Sequence, residues 1–202
     1  MSVRVALVFA FVGVVTLIGP APSFSQPMES GRPAERVIRA AYTTGYTYFD
    51  NTPPGRAISH PVRHERAGGK GTFRNPITVA VGHAIRRGKD ILDYRAGTRF
   101  YLPHLRRYFI VEDTCGDGPR PQRGPCHDLG TAPRRATTWV DVWVGGAPGD
   151  RRRAVQRCAS RITDGDDRKV HRVVVHPRRG YPVVRGALFH GGKCTKVYPV
   201  RR

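Results

Sequence analysis

Acids are scarce in this 202-residue chain, with 15 Asp and Glu against 35 Lys and Arg. The few that adjoin aromatic, apolar runs therefore stand out as candidates for chemistry. Asp50 follows Tyr46-Thr47-Tyr48-Phe49, Asp113 ends Tyr108-Phe109-Ile110-Val111-Glu112, and Asp141 lies inside Trp139-Val140-Asp141-Val142-Trp143-Val144. Side chains alternate between faces along a strand. A strand over 139–144 therefore puts Trp139, Asp141 and Trp143 on one face and turns Val140, Val142 and Val144 to the core. The same alternation groups Tyr46, Tyr48 and Asp50, with Phe49 inward. Rings offer flat apolar surface to a pyranose, and the carboxyl can donate or accept a proton. Apolar neighbours raise a carboxyl pKa, which suits a general acid. The plainer alternative is an Asp paired with one of the many Arg and rings covering a second, smaller core. Asp113 has a further alternative, as a brace for the loop that follows it.

His60 and His64 stand four apart, a spacing that suits a metal on a helix. Pro and Gly around them argue against a helix, so no metal is expected. No Ser or Cys sits in a nucleophile motif. No Gly-rich loop joins a strand to a helix, so no nucleotide or other cofactor is expected either.

The elements that must position these residues read as β. Runs rich in Val, Ile, Tyr and Phe at 42–49, 77–81, 99–102, 108–112, 139–144, 170–176 and 181–189 alternate with Gly and Pro clusters. One helix is predicted over 151–162, with Asp150 as N-cap and Ala154, Val155, Cys158 and Ile162 on one side. Short strands with one helix predict an all-β fold, a closed β-barrel with one or two short helices. Two long connections, 51–75 and 116–135, are either the loops that carry binding function on such a frame or ordinary surface irregularities.

The start of the chain sets an expected address. Arg4, an apolar run from Val5 to Ile18, and small residues up to Ser25 have the layout of a secretory signal peptide over 1–25. The alternative is a membrane anchor, but the run is shorter than the ~20 residues a spanning helix needs. Residues 26–40 read as a flexible leader and 41–202 as the barrel domain. The mature protein is expected to be a secreted monomer, extracellular or associated with a cell wall, and to span no membrane. Four Cys in an exported chain read as disulfides. Of the three possible pairings, Cys115–Cys126 with Cys158–Cys194 is favoured because each closes a fairly short local loop, and each contributes about 3 kcal/mol. The alternative, a zinc site of all four, lacks any Cys-x-x-Cys pair. The net charge of +20 predicts attraction to polyanions, whether anionic wall polymers, acidic polysaccharides or nucleic acid.

Several motifs together resemble a known fold family. They are Gly45-Tyr46-Thr47-Tyr48-Phe49-Asp50-Asn51-Thr52-Pro53-Pro54-Gly55, Ala67-Gly68-Gly69-Lys70-Gly71-Thr72-Phe73, Gly97-Thr98-Arg99-Phe100-Tyr101-Leu102-Pro103, the run ending at Asp113, and Asp141-Val142-Trp143-Val144-Gly145-Gly146. In this order they resemble the secreted double-psi β-barrel proteins related to expansins, barwin and rare lipoprotein A. Similarity to family-45 endoglucanases and three-aspartate lytic transglycosylases is more distant. The resemblance implies a six-stranded double-psi β-barrel with an open groove for a cell-wall polysaccharide, peptidoglycan or β-glucan. It implies Asp141 as general acid, Asp50 as base, and Asp113 as the first Asp of the three-aspartate pattern. Relatives include glycoside hydrolases, lytic transglycosylases and wall-loosening proteins without clear hydrolysis. Trp139 stands where a His is common in relatives. The expected protein binds or modifies wall polysaccharide, with Tyr46, Tyr48, Trp139 and Trp143 lining the groove. The alternatives are non-catalytic carbohydrate binding and binding of a polyanion such as nucleic acid.

Overall fold

Val140, Val142 and Val144 are completely buried, as the alternation requires, and their strand is one of six that close a barrel. The computed structural model describes residues 33–116, 118–164 and 169–200. The expected signal peptide and residues 26–32 of the expected leader lie outside them.

The barrel strands are β1 (Arg36–Thr47), β2 (Ile77–Val81), β5 (Arg99–Leu102), β6 (Arg107–Thr114), β7 (Thr138–Gly145) and β8 (His171–Val175). They close in the order β1-β7-β2-β6-β5-β8. The pairs β1/β7 and β2/β6 are parallel and the other barrel pairs antiparallel. Closure leaves the barrel no open edge. Val79, Val81, Phe100, Phe109, Val111 and Val173 join the valines of β7 in the core.

Two short hairpins complete the β structure: β3 (His83–Arg86) with β4 (Lys89–Leu92), and β9 (Phe189–His190) with β10 (Lys193–Cys194). The first was not foreseen. It turns through Arg87 and Gly88, both at positive φ, the geometry of a two-residue type I′ hairpin but without its usual Asn-Gly signal. Its apolar residues Ile85 and Ile91 stay exposed.

Two expectations are corrected. β1 begins at Arg36, inside the segment read as leader. Residues 181–188 are not strand, because scattered partners, tyrosine hydroxyls and single backbone carbonyls, take up their backbone groups instead of one ladder. Tyr101 Oη donates to Pro182 O at 2.7 Å, and Tyr181 N donates to Tyr108 Oη at 3.0 Å. This segment is a strap, with the Tyr181 ring stacked 4.5 Å from Tyr101.

The helix α1 covers Arg152–Asp164 and buries Val155, Cys158 and Ile162. Starting at Arg152, it puts Arg151 rather than Asp150 in the cap position. It docks over Gly45, where a Cβ would stand 2.6 Å from Val144 Cγ2 and 3.4 Å from Ala159 Cα. Cys158–Cys194 ties α1 to β10, and Cys115–Cys126 closes the loop after β6. Both pairings are the expected ones. Among the described residues no helix is long and apolar enough to cross a membrane.

Candidate active site

Strand register builds the site. Asp141 on β7 lies beside Thr44 on β1 and Ala80 on β2. Ala80 in turn lies beside Asp113 on β6. Two aspartates thus flank a methyl group across three neighbouring strands, about 10 Å apart at the backbone by two strand spacings. The small side chain of Ala80 leaves the space between them open.

A β-bulge makes this row possible. Between Val79 and Ala80 the register with β6 jumps from Val111 to Asp113, leaving Glu112 as the extra residue. Such bulges re-aim side chains. Without it Glu112 would sit beside Ala80 and Asp113 would turn to the other face.

The row forms part of the wall of an open cleft of about 930 Å³. Loop residues 50–59, the ends of the Cys115–Cys126 loop, Tyr46, Arg66 and Thr114 form the rest. Asp50, Asp113 and Asp141 all line it, so the structure brings the three sequence candidates together. Their environments differ. Burial pushes the Asp141 carboxyl up to about 7, against a hydrogen bond from Thr44 Oγ1 at 2.7 Å, and Asp50 and Asp113 add to the rise. Asp113 accepts from Tyr46 Oη, Ser59 N, Ser59 Oγ and Thr114 N at 2.9–3.1 Å. Asp50 is exposed and accepts from Thr47 N at 2.8 Å. It also lines a hollow of about 450 Å³ against α1.

The aromatic residues depart from expectation. Trp143 is only 3% exposed and packs edge-on to Tyr46 at 5.2 Å, so its ring joins the core and presents no face to a groove. Tyr46 reaches the cleft but is 8% exposed, and its hydroxyl is engaged with Asp113. Burial and the neighbouring Asp113 push that phenol well above its ordinary value, so it stays a donor. Trp139 is half-buried against Tyr42, and its indole N–H donates to Thr44 Oγ1 at 2.8 Å. The chain Trp139–Thr44–Asp141 therefore orients the Asp141 carboxyl from behind. Tyr48 packs edge-on to Phe49 at 5.3 Å, outside the residues lining the cleft.

Glu112, which sequence reasoning passed over, holds the cleft wall in place. Its fully buried carboxylate accepts from Arg63 N at 2.5 Å and His64 N at 2.8 Å, pairs with His64 Nδ1 at 2.7 Å, and accepts from Thr78 Oγ1 at 3.1 Å. Burial pushes Glu112 up, but these hydrogen bonds outweigh it and leave its carboxyl below the ordinary value. The signal that could have found it was an acid in the middle of an otherwise apolar strand run. His60 faces Asp90 at 3.4 Å, so the two histidines serve different carboxylates. Among the described residues no group of three or more His, Cys, Asp or Glu is placed to hold a metal.

Comparison with known proteins adds a family. The DDB_G0273701 N-terminal domain family matches residues 38–195. The chain belongs to that family. The matched span runs from within β1 to just past β10, so the family domain contains the whole cleft, α1 and both disulfides. A Dictyostelium discoideum protein, the uncharacterised DDB_G0273701/DDB_G0273221, is 30% identical over 167 residues, 81% of this chain. The chain spans 62% of that relative's length. No solved structure matches.

Proposed function

We propose that this is a secreted wall-polysaccharide protein that cleaves glycan in the cleft, with Asp141 as general acid. The observation that carries the reading is Asp141, its carboxyl pushed up to about 7 by burial, on the wall of an open cleft shared with two further carboxylates. A carboxyl near 7 is well matched to giving up a proton at neutral pH. Asp141 protonates the glycosidic oxygen as its bond to the anomeric carbon breaks. Asp50, exposed at the cleft margin, takes a proton from the water whose oxygen attacks that carbon. Asp141 is then ionised and Asp50 protonated, and solvent exchange restores both. Asp113, saturated by four donors, positions rather than transfers. Two carboxylates with a water between them give inversion of configuration.

A second reading is glycan binding without turnover, and the burial of Trp143 and Tyr46 favours it. With those rings withdrawn, the cleft lacks the stacked platform that would clamp a sugar for cleavage. Asp141 then only orients hydroxyls. On either reading the surplus of cations holds the protein on an anionic wall outside the cell.

The test is product release and retention on purified peptidoglycan, cellulose and chitin at high salt, with wild type beside Asp141→Asn. Product from wild type alone supports cleavage. Salt-resistant retention by both without product supports the second reading. Loss of all retention at high salt leaves charge as the sole attraction and removes both.

A further inference from the structure

A second concavity, remote from the cleft along β6, has the opposite character. It encloses about 570 Å³ and is lined by Lys70, Arg74, Arg179 and Arg185 around Phe73, with no acid in its wall. All four cations are exposed, and none has an acidic partner among the described residues. On a surface this basic, isolated cations are ordinary. Four converging on one hollow are not, because together they focus a positive field that favours an anion there.

The hollow is built in advance of any ligand. Loop 70–75 folds on itself, with Lys70 N and Thr72 N both donating to Asn75 O at 3.1 and 3.0 Å. Tyr108 N donates to Gly71 O at 2.9 Å, and Gly186 N donates to Lys70 O at 3.0 Å. Arg107 Nε donates to Gly186 O at 2.9 Å, so the strap carrying Arg179 and Arg185 is tied to the same strand as the loop carrying Lys70 and Arg74. Gly71 lies at φ 69°, where a Cβ would overlap the Arg107 side chain. Such fixing lowers the ordering cost of binding.

We propose that this pocket binds the carboxylates of an acidic polysaccharide, independently of the cleft. Guanidinium groups match carboxylate geometry through paired N–H donors. Nucleic acid fits less well. Single strands are held by stacking bases on exposed rings, whereas Phe73 is already occupied. Arg99 and Arg179 lie over it at 5.0 and 4.9 Å, and Tyr108 meets it edge-on at 5.3 Å. The choice of a polysaccharide over other polyanions rests on the glycan reading of the cleft; the pocket itself does not.

The experiment is binding of the whole protein to polygalacturonate, its fully methyl-esterified form and single-stranded DNA. Wild type is set beside two charge-matched variants. One carries Arg74→Gln, Arg179→Gln and Arg185→Gln; the other carries Arg151→Gln, Arg153→Gln and Arg157→Gln near and on α1. The pocket variant is expected to lose at least about tenfold in polygalacturonate affinity and the α1 variant less than about threefold, since charged hydrogen bonds outweigh diffuse attraction. The ester is expected not to bind. A second measurement uses unaltered protein. Amine acetylation read by mass spectrometry should find Lys70 shielded by polygalacturonate and Lys89, on the β3–β4 hairpin, unshielded. Equal losses in the two variants, equal shielding of the two lysines, or shielding of Lys70 by DNA alone would overturn the proposal. None of these outcomes bears on glycan cleavage by Asp141, which is scored by product release.

Discussion

β6 joins two regions built on opposite principles. At its start, Arg107 and Tyr108 support a hollow whose cations project into solvent and have no acidic partner among the described residues. At its end, Glu112 and Asp113 support a cleft in which Asp113 and Asp141 lie on barrel strands and are tied by hydrogen bonds, while Asp50 stays exposed at the margin. Asp113 lies five residues beyond Tyr108, about 17 Å of strand. Exposed charges attract at a distance and lose little by staying solvated. Withdrawn charges change their proton affinity. On the readings proposed above, the hollow serves attraction and the cleft the movement of a proton.

The largest expected effect breaks the two regions apart. Asp141→Asn should lower glycan cleavage by about 10²-fold or more while leaving polygalacturonate binding at the hollow unchanged. Loss of both together would mean the regions are one site. On the proposed reading the acid form of Asp141 does the work, so cleavage should fall as pH rises through about 7.

The next effect concerns stability. Removing the Cys158–Cys194 bond, which closes 36 residues between α1 and β10, should cost about 3–4 kcal/mol in denaturant unfolding. The loss should appear in both regions alike, since this bond serves neither one alone.

Glu112→Gln is smaller and local. It weakens the hold on the backbone at Arg63 and His64, and should cost about 2 kcal/mol. Faster amide exchange is expected over residues 59–66 but not over 70–75. The pH dependences oppose each other. The lowered Glu112 carboxyl contributes stability present above the ordinary Glu value, and it is lost as pH falls through the lowered one. The raised Asp141 carboxyl contributes stability present below about 4, and it is lost as pH rises through about 7.

The smallest effect follows from that sign. Asn at 141 keeps the acceptor for Thr44 and cannot ionise. Asp141→Asn should therefore be more stable than wild type at pH 8, by about 1 kcal/mol or more. The difference should shrink toward pH 4 in thermal unfolding. A destabilised variant at pH 8 would show that the Asp141 carboxylate is not strained by burial.

Much of this was legible in the chain. Alternation in 139–144 placed Asp141 opposite three core valines, and local loop length paired the cysteines. β2 and β5 run over the expected residues. What lay beyond reach depended on partners distant in sequence. The bulge at Glu112 exists only because β2 pairs with β6. Trp143 was assigned to a groove because alternation separates faces but does not say what covers the second one; here Tyr46 does. The strap over 181–188 has the composition of a strand, yet its backbone bonds tyrosine hydroxyls and the isolated carbonyls of Arg106 and Lys70 rather than a neighbouring strand. The hollow could not be foreseen, because Lys70 and Arg185 meet only when the strap closes on loop 70–75.

The central claim is that Asp141 holds a proton near neutral pH because burial and its two acidic neighbours make ionisation costly. Site-resolved carboxyl-carbon NMR titration of Asp141, in wild type and in Asp50→Asn, tests it most directly. The account predicts a wild-type midpoint near 7 that falls when Asp50 is neutralised. A midpoint near the ordinary aspartate value of about 4, unmoved by Asp50→Asn, would contradict it.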